Sequence, residues 1–436
     1  MSLVPIKRRT VAKSGPSHGE THRRHVLWGA RALVLSSCFV IIALAGCASP
    51  SRGPAVPAEL TAAAVIPGVP NARYYLREDL ARMLADSVAS MERVSADRDS
   101  RGLAADAPRH FLAISGGSDK GAFAAGLLNG WTASGTRPEF DVVTGVSTGS
   151  LIAPFAYLGS SYDGVLEEVY TGIGPDDIYE QRSIWAALRD DAMADSAPLA
   201  NMIERYITPE ILEDIAVEYG RGRWLMVVTT DLDSRRPAIW NMGEIAKVGT
   251  PEALALFRRV LLASAALPGL FPPVLFDVEV GGAPYQELHV DGGVAAQSFL
   301  FPPSFTTALE EREMVADRER HVYLIRNAQF DAPWAETTRS TIPIFFRSNA
   351  ALFTAGGIGD IFRIYTVAAR YGMDFNLAYI PKSFNAPHAT EFDNSFMKAL
   401  YELARGQAEA GYRWHKLPPG FETTLGQQEP EPDATP

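Results

Sequence analysis

Phe140-Asp-Val-Val-Thr-Gly-Val-Ser-Thr-Gly-Ser150 decides how the chain is read. Val142 and Val143 are β-branched and apolar, which suits a buried strand. Gly145-Val146-Ser147-Thr148-Gly149 then has the G-x-S-x-G form of a nucleophile elbow, the turn that carries a serine off a central strand and onto the start of a helix. Glycines flank the serine because a Cβ in so tight a turn would clash. Ser147 would sit at the positive end of the following helix, which favours a hydroxyl that must shed its proton. The plainer alternative is a serine in an ordinary strand-to-helix turn, and a motif this short recurs by chance. The remainder of the chain separates the two.

Upstream, Arg109 to Ser115 (RHFLAIS) reads as a buried strand. Gly116-Gly117-Ser118-Asp119-Lys120-Gly121 breaks it, and Ala122 to Ala133 (AFAAGLLNGWTA) reads as a buried helix of small apolar residues. Such a loop can turn backbone N–H groups towards an anion, helped by the helix that follows. Three readings compete. A Walker loop needs Lys and then Ser or Thr at its closing glycine, and Ala122-Phe123 follow instead. A dinucleotide fingerprint needs G-x-G-x-x-G, but Ser118 replaces its middle glycine and no acidic partner stands out. An oxyanion hole, in which aligned N–H donors hold the negative oxygen of a tetrahedral intermediate, needs a nucleophile on the next strand. Ser147 stands there, so the two loops support each other.

Together, SGGSDKGAFAAG and GVSTGS resemble the patatin-like phospholipase family, with its SGGGxKGxxxxG loop and GxSxG elbow. Two later blocks follow in the family's order. LLASAALPGLFPPVLF is similar to a proline-rich block that shapes the approach to the site. Tyr285 to Val290 leads as a strand into Asp291-Gly292-Gly293, similar to the family's DG[GA]. The resemblance implies an α/β fold: a three-layer α/β/α sandwich with a mostly parallel central sheet, patatin-like and related to the α/β-hydrolase fold. It also implies a Ser147–Asp291 dyad in which Asp291 takes the serine proton. An oxyanion hole would draw on Gly116, Gly117, Ser118 and Gly121, with Gly145 and Gly149 shaping the elbow. Gly292 and Gly293 would let the dyad loop pass close to it. The activity implied is hydrolysis of fatty-acyl esters of lipids or phospholipids, with no metal and no organic cofactor. A carboxylate of ordinary pKa is a poor base for an alcohol, so Asp291 is expected to be buried, which raises its pKa. One departure is plain. Ser118 stands where the family has a third glycine, and Asp119 follows it. A carboxylate beside a developing oxyanion would repel it, so Asp119 is expected to face away, towards Lys120.

The formal charge of −11 argues against nucleic acid as a partner. Residues 1–46 hold seven Lys or Arg and one acid, so removing them from totals of 40 and 51 leaves 33 and 50, a net −17. This basic leader runs into the apolar stretch Ala32 to Ala45, too short for a comfortable membrane span and long enough for a signal core. Leu44-Ala45-Gly46-Cys47 resembles a bacterial lipobox. That implies cleavage before Cys47, lipidation of its thiol and anchoring in the cell envelope, and Ala48 after the cysteine resembles lipoproteins sent to the outer membrane. Cys38 would leave with the leader, so the mature chain would hold one thiol and no internal disulfide.

The organisation expected is a signal peptide over 1–46, an extended tether over 47–70 and an N-terminal helical segment over 71–107. A catalytic domain follows over 108–330, then a helical part or cap over 331–416 and a disordered tail over 417–436. Ile342 to Tyr371 reads as an apolar helix interrupted at Gly356-Gly357. Asp231 and Asp233 read as a turn rather than a metal pair. Two other functions fit the same residues. One is a Ser-Asp-His triad esterase drawing on His321, His388 or His415. The other is a lipoprotein that binds lipid or a partner without turnover.

Overall fold

The computed structural model describes residues 51–104, 106–181, 191–311, 318–331 and 334–421. The signal peptide, the Cys47 lipobox and the tail beyond Phe421 lie outside the described residues. Eleven strands are seen among the described residues: β1 (Arg73–Tyr74), β2 (Arg109–Ile114), β3 (Val142–Val146), β4 (Glu180–Gln181), β5 (Ala194–Asp195), β6 (Trp224–Asp231), β7 (Arg236–Asn241), β8 (Val274–Val280), β9 (Ala283–Asp291), β10 (Arg320–Arg326) and β11 (Asp374–Tyr379). The helices that pack on them are α1 (Leu80–Ser100), α2 (Gly121–Ala133), α3 (Thr148–Leu158), α4 (Asp163–Gly172), α5 (Ala197–Tyr206), α6 (Pro209–Gly220), α7 (Met242–Ala246), α8 (Pro251–Ser264), α9 (Pro303–Glu311), α10 (Thr341–Arg370) and α11 (Asn394–Glu409).

The main sheet runs β1-β7-β6-β3-β2-β10-β11, with β9 also paired to β6 and β8 to β9. The central pairs β6–β3, β3–β2, β2–β10 and β10–β11 are parallel. β1, β7, β8 and β9 join antiparallel. The sheet is therefore mixed, with a parallel core and an antiparallel flank, where the sequence reading expected it mostly parallel. The reason is loop length. β6 to β7 and β8 to β9 turn back through a few residues, and only antiparallel neighbours can be joined so tightly. Gly281 and Gly282 make the second turn at φ 58° and 84°, the left-handed pair that a two-residue hairpin requires.

Alternation along the strands builds two cores. Leu112 and Ile114, Val143, Leu225 and Val227 face one side, against α2, α3, α8 and α11. Phe111 and Ala113, Val142 and Val146, Met226 and Val228 face the other, against Met83 and Leu84 of α1 and Ile361 and Ile364 of α10. This is the three-layer arrangement expected. Small residues in α2 have a packing reason. A Cβ on Gly126 or Gly130 would overlap the carbonyl oxygens of Tyr401 or Arg405, so the glycines let α11 lie directly on α2.

Three expectations about the flanks are corrected. Residues 51–70 are not a free tether. Arg52 pairs with Asp233 at 2.6 Å, Gly53 N–H donates to Gln286 Oε1, Val65 bridges Glu279, and Ile66 and Val69 are buried. The stretch forms one short 3-10 helix, Ala58–Ala63, and its backbone finds partners along the β8–β9 hairpin. Secondly, α10 is unbroken through Gly356-Gly357. A Cβ on Gly357 would crowd Arg326 and Gln297, so that glycine serves packing rather than a break. The first half of α10 exposes Ile342, Ile344, Phe345 and Leu352. Thirdly, the chain remains ordered in place to Phe421, whose ring packs on Phe362 and Tyr365. None of the described helices is long and apolar enough to cross a membrane.

Candidate active site

Ser147 stands between the end of β3 and the start of α3 at φ 54°, ψ −128°. Such a conformation costs a non-glycine residue about 1–3 kcal/mol and persists only where the surroundings over-determine it. Here they do. Ser147 N–H donates to Ser264 Oγ at 3.1 Å, and Ser264 Oγ donates in turn to Val228 O at 2.7 Å. Ser147 O accepts from Ser150 N and Oγ. A Cβ on Gly149 would overlap the Ile114 carbonyl oxygen, and one on Gly145 the Gly149 carbonyl oxygen. Both flanking glycines are thus dictated by contact.

Sheet register then delivers the aspartate. β3 pairs Val146 with Val228, and the next residue of β6, Thr229, pairs with Asp291 of β9. β3 and β9 thus lie end to end along one edge of β6, running towards each other, and Ser147 Oγ donates to Asp291 Oδ2 at 2.7 Å where they meet. Asp291 Oδ1 accepts from Gly293 N at 2.7 Å, and Asp291 N–H donates to Ala266 O at 2.9 Å. The Ala-Ser-Ala-Ala-Leu-Pro block therefore fixes both residues, Ser264 holding the serine and Ala266 the aspartate. Gly292 passes where a Cβ would overlap Val228 O. Asp291 is buried, and burial pushes its carboxyl up to about 6 against the opposing pull of the Ser147 and Gly293 hydrogen bonds.

The glycine loop lies beside this pair. A Cβ on Gly116 would come 3.1 Å from Ser147 Cβ, and one on Gly117 would overlap the Asn327 carbonyl oxygen. Gly116 N–H is engaged by Gln297 O at 3.1 Å, and Gly121 N–H by Ser118 O. These two amides, counted as donors from the sequence, are occupied. Gly121 instead lets α2 start against Thr148 and Tyr170. The N–H groups of Gly117 and Ser118 donate to no acceptor among the described residues. Ser118 adopts φ 57°, the left-handed region that glycine would hold without strain. Asp119 faces away from Ser147, as expected, but its partner is not Lys120. Its Oδ2 accepts from His388 Nε2 at 2.6 Å and from Phe392 N at 2.9 Å.

Two further residues at the site belong to no motif. Gln297 ties the loops together, with Gly116 N–H on its carbonyl and its own Nε2 donating to Gly293 O at 3.0 Å. Asn327 follows β10 and braces the glycine loop. Its N–H donates to Ser115 Oγ, its Nδ2 donates to Ser115 O, and its Oδ1 accepts from Ala124 N. A polar residue ending an apolar strand at the elbow's edge of the sheet was the one signal available for it. No histidine among the described residues bonds Ser147 or Asp291. His321 pairs with Asp374 and Glu319, His388 with Asp119, and His415 packs on Tyr379. His289, two residues before Asp291, is buried between Thr229 and Glu287. The triad arrangement is therefore not formed. Asp231 accepts from Asp233 N and Ser234 Oγ, which is the turn expected there.

Thr148, the residue after Ser147, lines a small apolar cavity of about 50 Å³ that is partly open to solvent. Thr148, Phe155, Tyr170, Ile203, Leu261 and Phe392 are among the residues lining it.

A mixed sheet covered by helices on both faces, with a serine at its strand-to-helix elbow bonded to a buried carboxylate, places this chain in the class of α/β proteins built around a nucleophile elbow. Within that class, residues 112–301 match the sequence model of the patatin-like phospholipase family. Among solved structures, the chain is similar to VipD from Legionella pneumophila at 11% identity and TM-score 0.32, covering 69% of this chain and 66% of that one. It is also similar to the type III effector protein ExoU at 13% identity and TM-score 0.26, covering 70% of this chain and 52% of that one. The chain thus spans under two thirds of the first and about half of the second. No curated protein matches the sequence.

Proposed function

We propose that this protein is a serine acyl hydrolase that cleaves fatty-acyl esters of lipids. One observation carries the reading. The Ser147 hydroxyl donates at 2.7 Å to a buried carboxylate whose pKa is raised to about 6. At neutral pH Asp291 is then ionised, yet basic enough to take a proton in the transition state. Ser147 Oγ attacks the ester carbonyl carbon as its proton passes to Asp291 Oδ2. The carbonyl oxygen becomes an oxyanion, held by the free N–H groups of Gly117 and Ser118. Collapse of the intermediate releases the alcohol, which takes the proton from Asp291, and leaves an acyl-serine. Water, giving its proton to Asp291, attacks that ester; the intermediate collapses as Asp291 returns the proton to Ser147 Oγ, and the fatty acid leaves. Apolar side chains gather around Thr148, next to Ser147, which supports an apolar acyl group on the substrate. No step calls for a metal or cofactor.

Anchoring rests on the sequence. We place the chain in the cell envelope, held to the outer membrane by lipid on Cys47, with several acyl chains giving the stable attachment that one would not.

The test uses the full-length chain in detergent. A fluorescent fluorophosphonate should label the wild type, fail to label Ser147→Ala, and label Asp291→Asn far more slowly. A folded wild type that resists labelling would instead favour a lipid-binding protein without turnover.

A further inference from the structure

The glycine loop departs from the family pattern at Ser118 and Asp119. Both departures bond to one short segment, residues 388–392, which lies outside the matched span 112–301. Asp119 is wholly buried at 0% exposure, and its Oδ2 accepts from His388 Nε2 at 2.6 Å and from Phe392 N at 2.9 Å. Its Oδ1 has no partner among the described residues. Ser118 Oγ donates to Glu391 Oε2 at 3.0 Å. Phe392 itself is at φ 61°, and it lines the apolar cavity beside Thr148. The ring of His388 packs on Phe396 at 4.2 Å between centroids.

Glycine would hold the φ of 57° at position 118 without strain, and serine does not. A buried carboxylate one residue on adds a charge that must be matched or the loop will turn it towards water. Something outside the loop has to hold both, and three residues of one segment do. We propose that residues 388–392 are a clamp that sets the oxyanion loop, with His388 as a positioning residue acting through Asp119. The proposal rests on the reading of Ser147 as a nucleophile whose oxyanion is held by this loop. Its chemical content is preorganisation. Donors stabilise an oxyanion strongly only when they are already aimed at it. The His388 and Phe392 N–H groups fix the Asp119 carboxylate, and with it the direction of the neighbouring Ser118 N–H. Phe392 of the same segment also lines the apolar cavity beside Thr148.

Asp119, His388 and Glu391 also gather their ligand atoms within 4.8 Å of one another, a set that could interest a metal ion. The geometry favours the clamp. Two ligands about 2.0–2.1 Å from a tetrahedral zinc lie about 3.3 Å apart, whereas Nε2 and Oδ2 stand at 2.6 Å with a second donor already on Oδ2.

The experiment compares full-length wild type, His388→Ala and His388→Gln on a medium-chain p-nitrophenyl ester, with hydrogen exchange measured peptide by peptide. His388→Ala should lower kcat about tenfold, a fraction of the 10²–10³-fold that follows outright loss of an oxyanion donor, and leave KM within about twofold. Exchange should rise in residues 115–121 and not in the central strands. His388→Gln, which keeps an N–H donor at a similar reach, should recover most of the rate. An unchanged kcat overturns the clamp, as does a loss carried by KM or by exchange across the whole sheet. Zinc that alters the wild-type rate and not that of His388→Ala would overturn it in favour of a metal site. Should the wild type neither turn over ester nor take up fluorophosphonate, the hydrolase reading falls. The exchange comparison still decides whether His388 holds the loop.

Discussion

Replacing Asp291 by asparagine should abolish most activity and, at the same time, make the protein more stable. The carboxyl titrates at 3.8 in an unstructured chain and at about 6 in the fold, because burial penalises its charged form. That rise corresponds to about 3 kcal/mol. An acid with a raised folded pKa binds its proton more tightly when folded. Its stabilising effect is therefore fully present below pH 3.8 and is lost as pH rises through about 6. At pH 8 the wild type carries the whole cost of a buried carboxylate. Asparagine has nearly the same shape, can still accept from Gly293 N–H, and carries no charge. Chemical unfolding followed by circular dichroism should show Asp291→Asn more stable by up to about 3 kcal/mol at pH 8, with the gap closing by pH 4. Fluorophosphonate labelling of the wild type should rise about tenfold from pH 5 to pH 7, following ionisation near 6. The reasoning is refuted if the variant is no more stable than wild type at pH 8, or if labelling is flat across that range.

Three further outcomes follow from the same geometry. Gly149→Ala forces a methyl into the Ile114 carbonyl oxygen; a thermal melt should show a loss of about 1–3 kcal/mol, with labelling of Ser147 falling alongside it. Arg73→Ala strips the partner from Glu287, both ends of a 2.7 Å pair being buried; denaturant unfolding should register about 3–5 kcal/mol, and an effect below 1 kcal/mol would show that water reaches Glu287. Asn327→Ala removes the brace on Ser115 and leaves buried groups unpaired, costing about 1–3 kcal/mol; steady-state kinetics should show kcat falling more than KM rises, because the glycine loop loses its alignment while the apolar cavity is untouched.

Much of the fold was legible because its signals are local. The apolar run of β3, the Gly-x-Ser-x-Gly turn and the small residues of α2 each declare themselves within a dozen residues. β8 is equally local in kind, with Gly281-Gly282 between it and β9. The antiparallel flank, and hence the mixed sheet, follows from that hairpin together with the tight turn from β6 to β7. α10 was read as broken because paired glycines usually end a helix. Only the close passage of Arg326 and Gln297 shows why Gly357 sits inside one. For the tether, composition indicated a free segment, while the structure supplies an ion pair and a hairpin edge that hold it.

The sequence by itself determined which serine stands on the elbow and which aspartate follows a strand into two glycines, because tight turns restrict residue type at each position. It also determined the mismatch at Ser118 and Asp119. Tertiary structure alone decided what those residues meet. Ser147 and Asp291 are 144 positions apart, and the β3–β6–β9 register brings them to 2.7 Å. The same is true of Gln297, Asn327 and His388. Each serves through contacts made by other strands and loops, and a contact between distant segments leaves no pattern in the spacing of either one.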